Sequence, residues 1–177
     1  MTRSEHEHLI RASGAIAKDD ELIIIGSQTI LGQFPNAPEI LCVSMEVDLY
    51  PRNNPALADL VDGAIGEGSS FHEQYGYYAQ GVGPETAVLP QGWENRLVRI
   101  ENENTRGVVG LCLEVHDLAI SKYAAGRPKD LEFTHALAKH KMINQKTVFQ
   151  RLSETNLSHS IRALVNSRIE ADFRHSK

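Results

Sequence analysis

The spacing of apolar and polar residues changes partway along the chain. Before His116 the apolar residues come mostly in short runs separated by glycine and proline; after it they recur at helical intervals. Leu9 to Ala17 has a modest helical period. Glu21 to Ile25 is a short, largely β-branched run and predicts a buried strand, ended by Gly26-Ser27. Ser27 is expected to cap a helix opening over Gln28 to Gly32. Pro35 and Pro38 interrupt the chain, and Met45 to Tyr50 predicts a second strand, stopped by Pro51. Pro55 to Ile65 reads as a helix with Leu57, Leu60, Val61 and Ile65 along one side, its end blurred by Gly63, Gly66 and Gly68. Further strands are expected over Tyr75 to Leu89, Arg96 to Ile100 and Val108 to Val115, with turns at Gly83-Pro84, Pro90-Gln91-Gly92 and Arg106-Gly107.

The second part predicts a helix over Asp117 to Ala125, with Gly126 as its stop and Pro128 in the first turn of the next. Two more helical stretches follow from Lys146, the last turning Ile161, Val165, Ile169 and Phe173 toward the body. The expected fold is α/β (α+β): a small mixed β-sheet flanked by helices, with a helical C-terminal part. The expected division is an α/β domain over 1–142 and a helical extension over 143–177 packed on it.

Composition narrows the class. The chain has 177 residues, 41% of them hydrophobic and 23% charged, enough for one good core. A net charge of −5 argues against whole-surface attraction to nucleic acid and leaves room for a local basic patch. Arg127, Lys129, Lys139, Lys141, Lys146 and Arg151 supply such a bias, read either as an RNA-backbone surface or as a solvated helical face. Cys42 and Cys112 sit in apolar surroundings and read as small buried hydrophobes, which suits a reducing compartment. Met1 to His8 lacks the apolar core of a signal peptide and no apolar stretch reaches the length of a membrane span, so a cytoplasmic location without a membrane partner is expected.

Three segments carry candidate chemistry. In Glu46-Val47-Asp48-Leu49 the acids project from one strand face and the apolar residues from the other. Such a pair suits Mg²⁺, which takes oxygen ligands and keeps substrate phosphates in its shell, or it is simply the wet face of a half-exposed strand. Gly26-Ser27 reads as a phosphate-binding turn, the glycine admitting close approach and the serine donating to phosphate, or as a tight strand-to-helix turn. Lys122, on an otherwise apolar helical stretch, needs an acid or a phosphate as partner. Asp130 offers a metal ligand, a general base or a salt bridge to Lys122 that pins two helices.

Other clusters have plainer readings. His6, Glu7 and His8 are expected on a mobile N-terminus rather than around a metal, and His72-Glu73 is either a pocket lining or a loop pair. Trp93, Tyr75, Tyr77 and Tyr78 are read as packing residues before base-stacking ones.

In this order, Gly26 and Ser27, Glu46 and Asp48, Lys122 and Asp130 resemble the polymerase-β-like nucleotidyltransferase superfamily. The branch that the later motif resembles is that of small bacterial proteins such as the AbiE-type toxins. The resemblance spans about Glu21 to Lys139, without a clear match between Pro51 and Val109. It implies transfer of a nucleoside monophosphate from a nucleoside triphosphate to an RNA end such as tRNA, or to a protein, with Mg²⁺. It assigns Glu46 and Asp48 to the metal, Gly26 and Ser27 to the triphosphate, Lys122 to its charge, and Asp130 to the nucleophile or a metal. A toxin–antitoxin or phage-defence role, with a cognate antitoxin as partner, is implied on the same ground. The chain departs from the pattern in its long segment between Ser27 and Glu46 and in having Glu46 for the commoner Asp. Glu85 and Glu114 are the candidates for a third carboxylate. The alternatives are a catalytically degenerate binding or antitoxin-like module of the same fold, and a structural oligomerisation domain.

Overall fold

The computed structural model describes residues 1–174. The chain forms two compact units, one of Met1–Thr86 with Leu97–Leu113, the other of Ala87–Arg96 with the chain from Glu114 on. The last three residues of the expected extension lie outside the described residues.

The first unit is a five-stranded mixed sheet with helices. Its strands are β1 (Glu21–Ile24), β2 (Glu46–Pro51), β3 (Tyr78–Gly81), β4 (Val98–Ile100) and β5 (Val109–Cys112), in the order β3-β2-β1-β5-β4. β1 runs antiparallel to β2 and parallel to β5; β3 is parallel to β2, and β4 antiparallel to β5. The parallel step from β2 to β3 needs a crossover, and α3 (Ala58–Ile65) and α4 (Ser70–Tyr75) supply it. The core joins Leu9 and Ile10 of α1 (Arg3–Ala17) and Val61 and Ile65 of α3 to Leu22, Ile24, Val47, Leu49 and Ala79 of the sheet. Alternation along β2 thus buries Val47 and Leu49 and turns Glu46 and Asp48 to the opposite face.

Several expectations are corrected. The N-terminus is helical: Thr2 and Glu5 form a capping box, and His6 and Glu7 are buried. Glu7 accepts from Arg3, Asn102 and Asn104, which keeps its carboxyl below the usual range against the cost of burial. Ser27 caps nothing. It opens a 3₁₀ turn, Ser27–Thr29, whose N-cap is Gly26, and the α-helix after it, α2 (Ile30–Gln33), is a single turn. β2 ends at Pro51, as expected, with Pro51 itself the last paired residue, opposite Leu22. Leu60 is 54% exposed, so the buried side of α3 is Ala58, Val61 and Ile65. The strand expected over Tyr75 to Leu89 contracts to β3, because Ser69 caps α4 and Gly76 ends it in left-handed geometry. Val115 belongs to a helix rather than to β5.

The second unit is helical: α5 (Val115–Ala125), α6 (Pro128–Lys139), α7 (Gln145–Ser153) and α8 (His159–Arg174). Gly126 stops α5 at φ +63° and Pro128 opens α6, both as expected. Val165 and Ile169 are buried, whereas Ile161 at the start of the same stripe is exposed. Asp117 is buried and takes two bonds from Arg96, at 2.8 and 3.0 Å, while Arg151 Nε lies 3.0 Å away. That network ties the 87–96 segment to α5 and α7. Both cysteines are free thiols, Cys112 buried and Cys42 half-buried. Among the described residues, no helix is long and apolar enough to cross a membrane.

Candidate functional site

The site in the first unit is built on the end of β1 and the length of β2. Beyond Ile24 the pairing continues by one bond, the Ile25 N–H donating to the Asp48 carbonyl at 3.0 Å. Gly26 follows, with φ −76° and ψ −171°, an extended conformation open to any residue. What requires glycine here is space: a Cβ on residue 26 would lie 1.8 Å from Asp48 Oδ2 and 2.7 Å from its Cγ. The Asp48 carboxylate therefore rests directly against the bend. Thr29 fixes the bend from beneath, its buried hydroxyl donating to the Ile24 carbonyl at 2.9 Å and accepting from the Leu113 N–H at 2.7 Å. Ser27 is half-buried, and among the described residues its hydroxyl has no hydrogen-bond partner.

Glu46 sits two residues before Asp48 on the same face. The register sets Glu46 opposite Tyr78 and Asp48 opposite Gln80. Tyr78 Oη donates to Glu46 Oε2 at 3.1 Å, and Gln80 Nε2 donates to Asp62 Oδ1 at 2.9 Å. Burial and the neighbouring carboxylates, Glu46 foremost and then Glu67 and Asp48, push the Tyr78 phenol up to about 12, so at neutral pH it is a donor and not a phenolate. The His72 ring lies 4.6 Å from that of Tyr78, and His72 Nδ1 accepts from the Gly68 N–H at 3.0 Å. Tyr77, one residue earlier, faces the other way and bonds His8 at 2.8 Å within a cluster that includes Phe71 and Tyr75.

The second unit holds the other pair. Lys122 Nζ lies 3.2 Å from Asp130 Oδ1, and Arg127 Nε lies 2.6 Å from Asp130 Oδ2. The Arg127 N–H also donates to Asp130, at 3.2 Å, so the carboxylate caps α6 as well. Burial works against ionisation of Asp130, but Arg127 and Lys122 outweigh it and hold the carboxyl below its ordinary value. Lys122 also lies 5.9 Å from the centre of the Phe133 ring. The salt-bridge reading of these residues is therefore what the unit contains.

The candidates for a third carboxylate are engaged elsewhere. Glu85 folds over Gly83, where a Cβ would meet its Oε1 at 2.2 Å. Glu114 caps α5, accepting from the His116 N–H at 3.0 Å and pairing His116 Nδ1 at 2.7 Å. Among the described residues no three His, Cys, Asp or Glu side chains gather as a metal set. His6, Glu7 and His8 lie within the capped helix α1 and not on a mobile tail. Sequence reasoning missed Tyr78 and Gln80 as neighbours of the acid pair. Only the register of a parallel crossover brings them there, and no local pattern encodes that register.

The structure thus brings a strand-end glycine-serine bend against an acid-x-acid strand of a mixed sheet, the motifs on which the resemblance to nucleotidyltransferases rests. The chain belongs to DUF6036, a family of nucleotidyltransferases of unknown function, whose model matches residues 7–174. No curated relative and no solved structure matches the chain.

Proposed function

We propose that the corner formed by Gly26, Ser27, Glu46 and Asp48 binds the triphosphate of a nucleoside triphosphate together with Mg²⁺, and that the chain transfers the nucleoside monophosphate to an RNA or protein acceptor, the new bond to the α-phosphorus forming as the α–β anhydride breaks and pyrophosphate leaves. The observation that carries this reading is the contact of the Asp48 carboxylate with the Gly26 backbone, at a distance that no side chain on residue 26 would permit. The residues suit a hard cation: two carboxylates lie on one face of β2, one of them resting against the Gly26 bend. Bound Mg²⁺ would supply charge neutralisation on the triphosphate. Glu46 and Asp48 would hold the ion, Gly26 would admit a phosphate against its backbone, and the Ser27 hydroxyl would donate to a phosphate oxygen. A tRNA acceptor and a toxin or phage-defence role with a cognate antitoxin are the narrower form of this proposal, and they rest on the AbiE-type resemblance alone.

A second reading has its own support. The strand beside β2 presents Tyr78 and Gln80, both neutral, where a further acid would complete a larger carboxylate set. This favours a module that binds nucleotide without turning it over.

The test measures thermal stability with Mg²⁺ and each of the four nucleoside triphosphates, then label transfer into total RNA and protein, for wild type and Asp48→Ala. A ligand at one hundred times its Kd adds about 2.7 kcal/mol to stability. A shift in wild type that Asp48→Ala loses supports the site, and label transfer that requires Asp48 supports the enzyme. A shift without transfer selects the binding module. No shift in wild type leaves only a structural oligomerisation role and rejects the site.

A further inference from the structure

We infer that Tyr78 is a positioning residue for the acid pair, setting the orientation in which Glu46 meets a divalent cation; the inference rests on the site proposed above. Glu46 lies at the outer end of its face, before Asp48 and away from the bend, on a side chain with three rotatable bonds. Asp48 is shorter and is confined by its contact with Gly26. Among the described glycines, none crowds Glu46 in this way. The contact that fixes it is the bond from Tyr78 Oη to Oε2, at 3.1 Å across the parallel β2–β3 pair.

The phenol is itself held. Its ring packs against His72, which the Gly68 N–H orients and which belongs to the capped helix α4. A chain of contacts thus runs from the α3–α4 turn through His72 and Tyr78 to one oxygen of Glu46, leaving Oε1 as the oxygen offered to a ligand. A neutral donor is suited to this task, because it orients a carboxylate without cancelling the charge that the cation needs. Supporting contacts of this kind commonly change metal affinity by a factor of about 10 to 100.

The experiment measures Mn²⁺ affinity of the full chain by calorimetry and by the electron-spin signal of free Mn²⁺, for wild type, Tyr78→Phe and Tyr77→Phe. Tyr77→Phe removes the same hydroxyl from the opposite face, where it bonds His8. The expected result is a loss of about tenfold in Tyr78→Phe and no change in Tyr77→Phe. The same Tyr78→Phe change is then made in Glu46→Ala, where the residual affinity, carried by Asp48, is expected to stay constant because the partner through which Tyr78 acts is gone. Equal affinity of Tyr78→Phe and wild type would overturn the inference and leave the site standing, as would an equal loss in Tyr77→Phe. A tenfold loss that persists in the Glu46→Ala background would also overturn it. Absence of Mn²⁺ binding in wild type would instead reject the site itself, so the two failures are distinguishable.

Discussion

Two carboxylates, Asp48 and Asp130, each lie near a glycine that ends a regular element, yet their surroundings differ in kind. Asp130 is 1% exposed and answered by two cations, Lys122 at 3.2 Å and Arg127 at 2.6 Å. Asp48 lies against a backbone bend, and Glu46, its neighbour on that face, is answered by a phenol at 3.1 Å rather than by a cation. The first arrangement is electrostatically complete and pins α5 to α6. The second gathers negative charge on one sheet face, with a neutral donor as the partner of Glu46. An acid whose charge is matched inside its own unit reads as architecture. An acid pair on one sheet face, with one member against a glycine bend, is the arrangement proposed above to take an external cation.

The largest effect expected from this contrast is on Asp130. Asp130→Asn leaves Lys122, mostly buried, facing a neutral amide, and should cost about 3 kcal/mol in urea denaturation; the share of Arg127, which is 59% exposed, is small. The pH dependence has a definite sign. The folded carboxyl of Asp130 is held below its ordinary value of 3.8, so the unfolded chain binds its proton first as the solution is acidified. Its contribution is full above about pH 5 and is lost as the pH falls through the folded value. Asp130→Asn should flatten that part of the acid profile. An unchanged profile would mean that the ion pair does not stabilise the unit.

Next in size is Gly26→Ala. The added methyl would sit 1.8 Å from Asp48 Oδ2, and since the contact is with the end of a side chain, the carboxylate must turn away. A cost of about 1–2 kcal/mol in folding stability is expected. The more telling readout is the thermal shift with Mg²⁺ and nucleotide, which should vanish. Gly126→Ala is the matched change in the second unit. There the strain is of backbone at φ +63° and of contact with Arg168, and a stability loss should leave the nucleotide response of the remaining folded protein intact.

What the sequence made legible follows local rules. The β-branched run before Gly26, the alternation over Glu46 to Leu49 and the Gly126-Arg127-Pro128 junction each encode their structure within a few residues, and each formed as expected. The misreadings have two physical causes. Exposure overrode periodicity at Leu60 and Ile161, where the helical spacing is right but the residues stay 54% and 39% exposed. Capping overrode strand propensity at Tyr75, which Ser69 and Gly76 bracket within α4. Within the site, the meeting of Gly26 with Asp48 follows from pairing two neighbouring strands. The place of Tyr78 follows from no local rule, because it depends on how many residues the α3–α4 crossover uses before β3 begins.

The smallest expected effect sharpens the comparison most. Glu46→Gln keeps an oxygen that can accept from Tyr78 and removes one negative charge from the face of β2. If the acid pair exists for a ligand, its charge contributes nothing to folding in the absence of that ligand. The urea midpoint without metal should then move by less than about 0.5 kcal/mol, in either direction. The same variant should bind Mn²⁺ about tenfold or more weakly than wild type, since an amide is a poor substitute for a carboxylate toward a hard cation. A stability loss comparable to that of Asp130→Asn would place Glu46 with the structural ion pairs and erase the distinction between the two corners. Small cost to the fold together with a large cost to cation binding is the signature that separates a binding face from a staple.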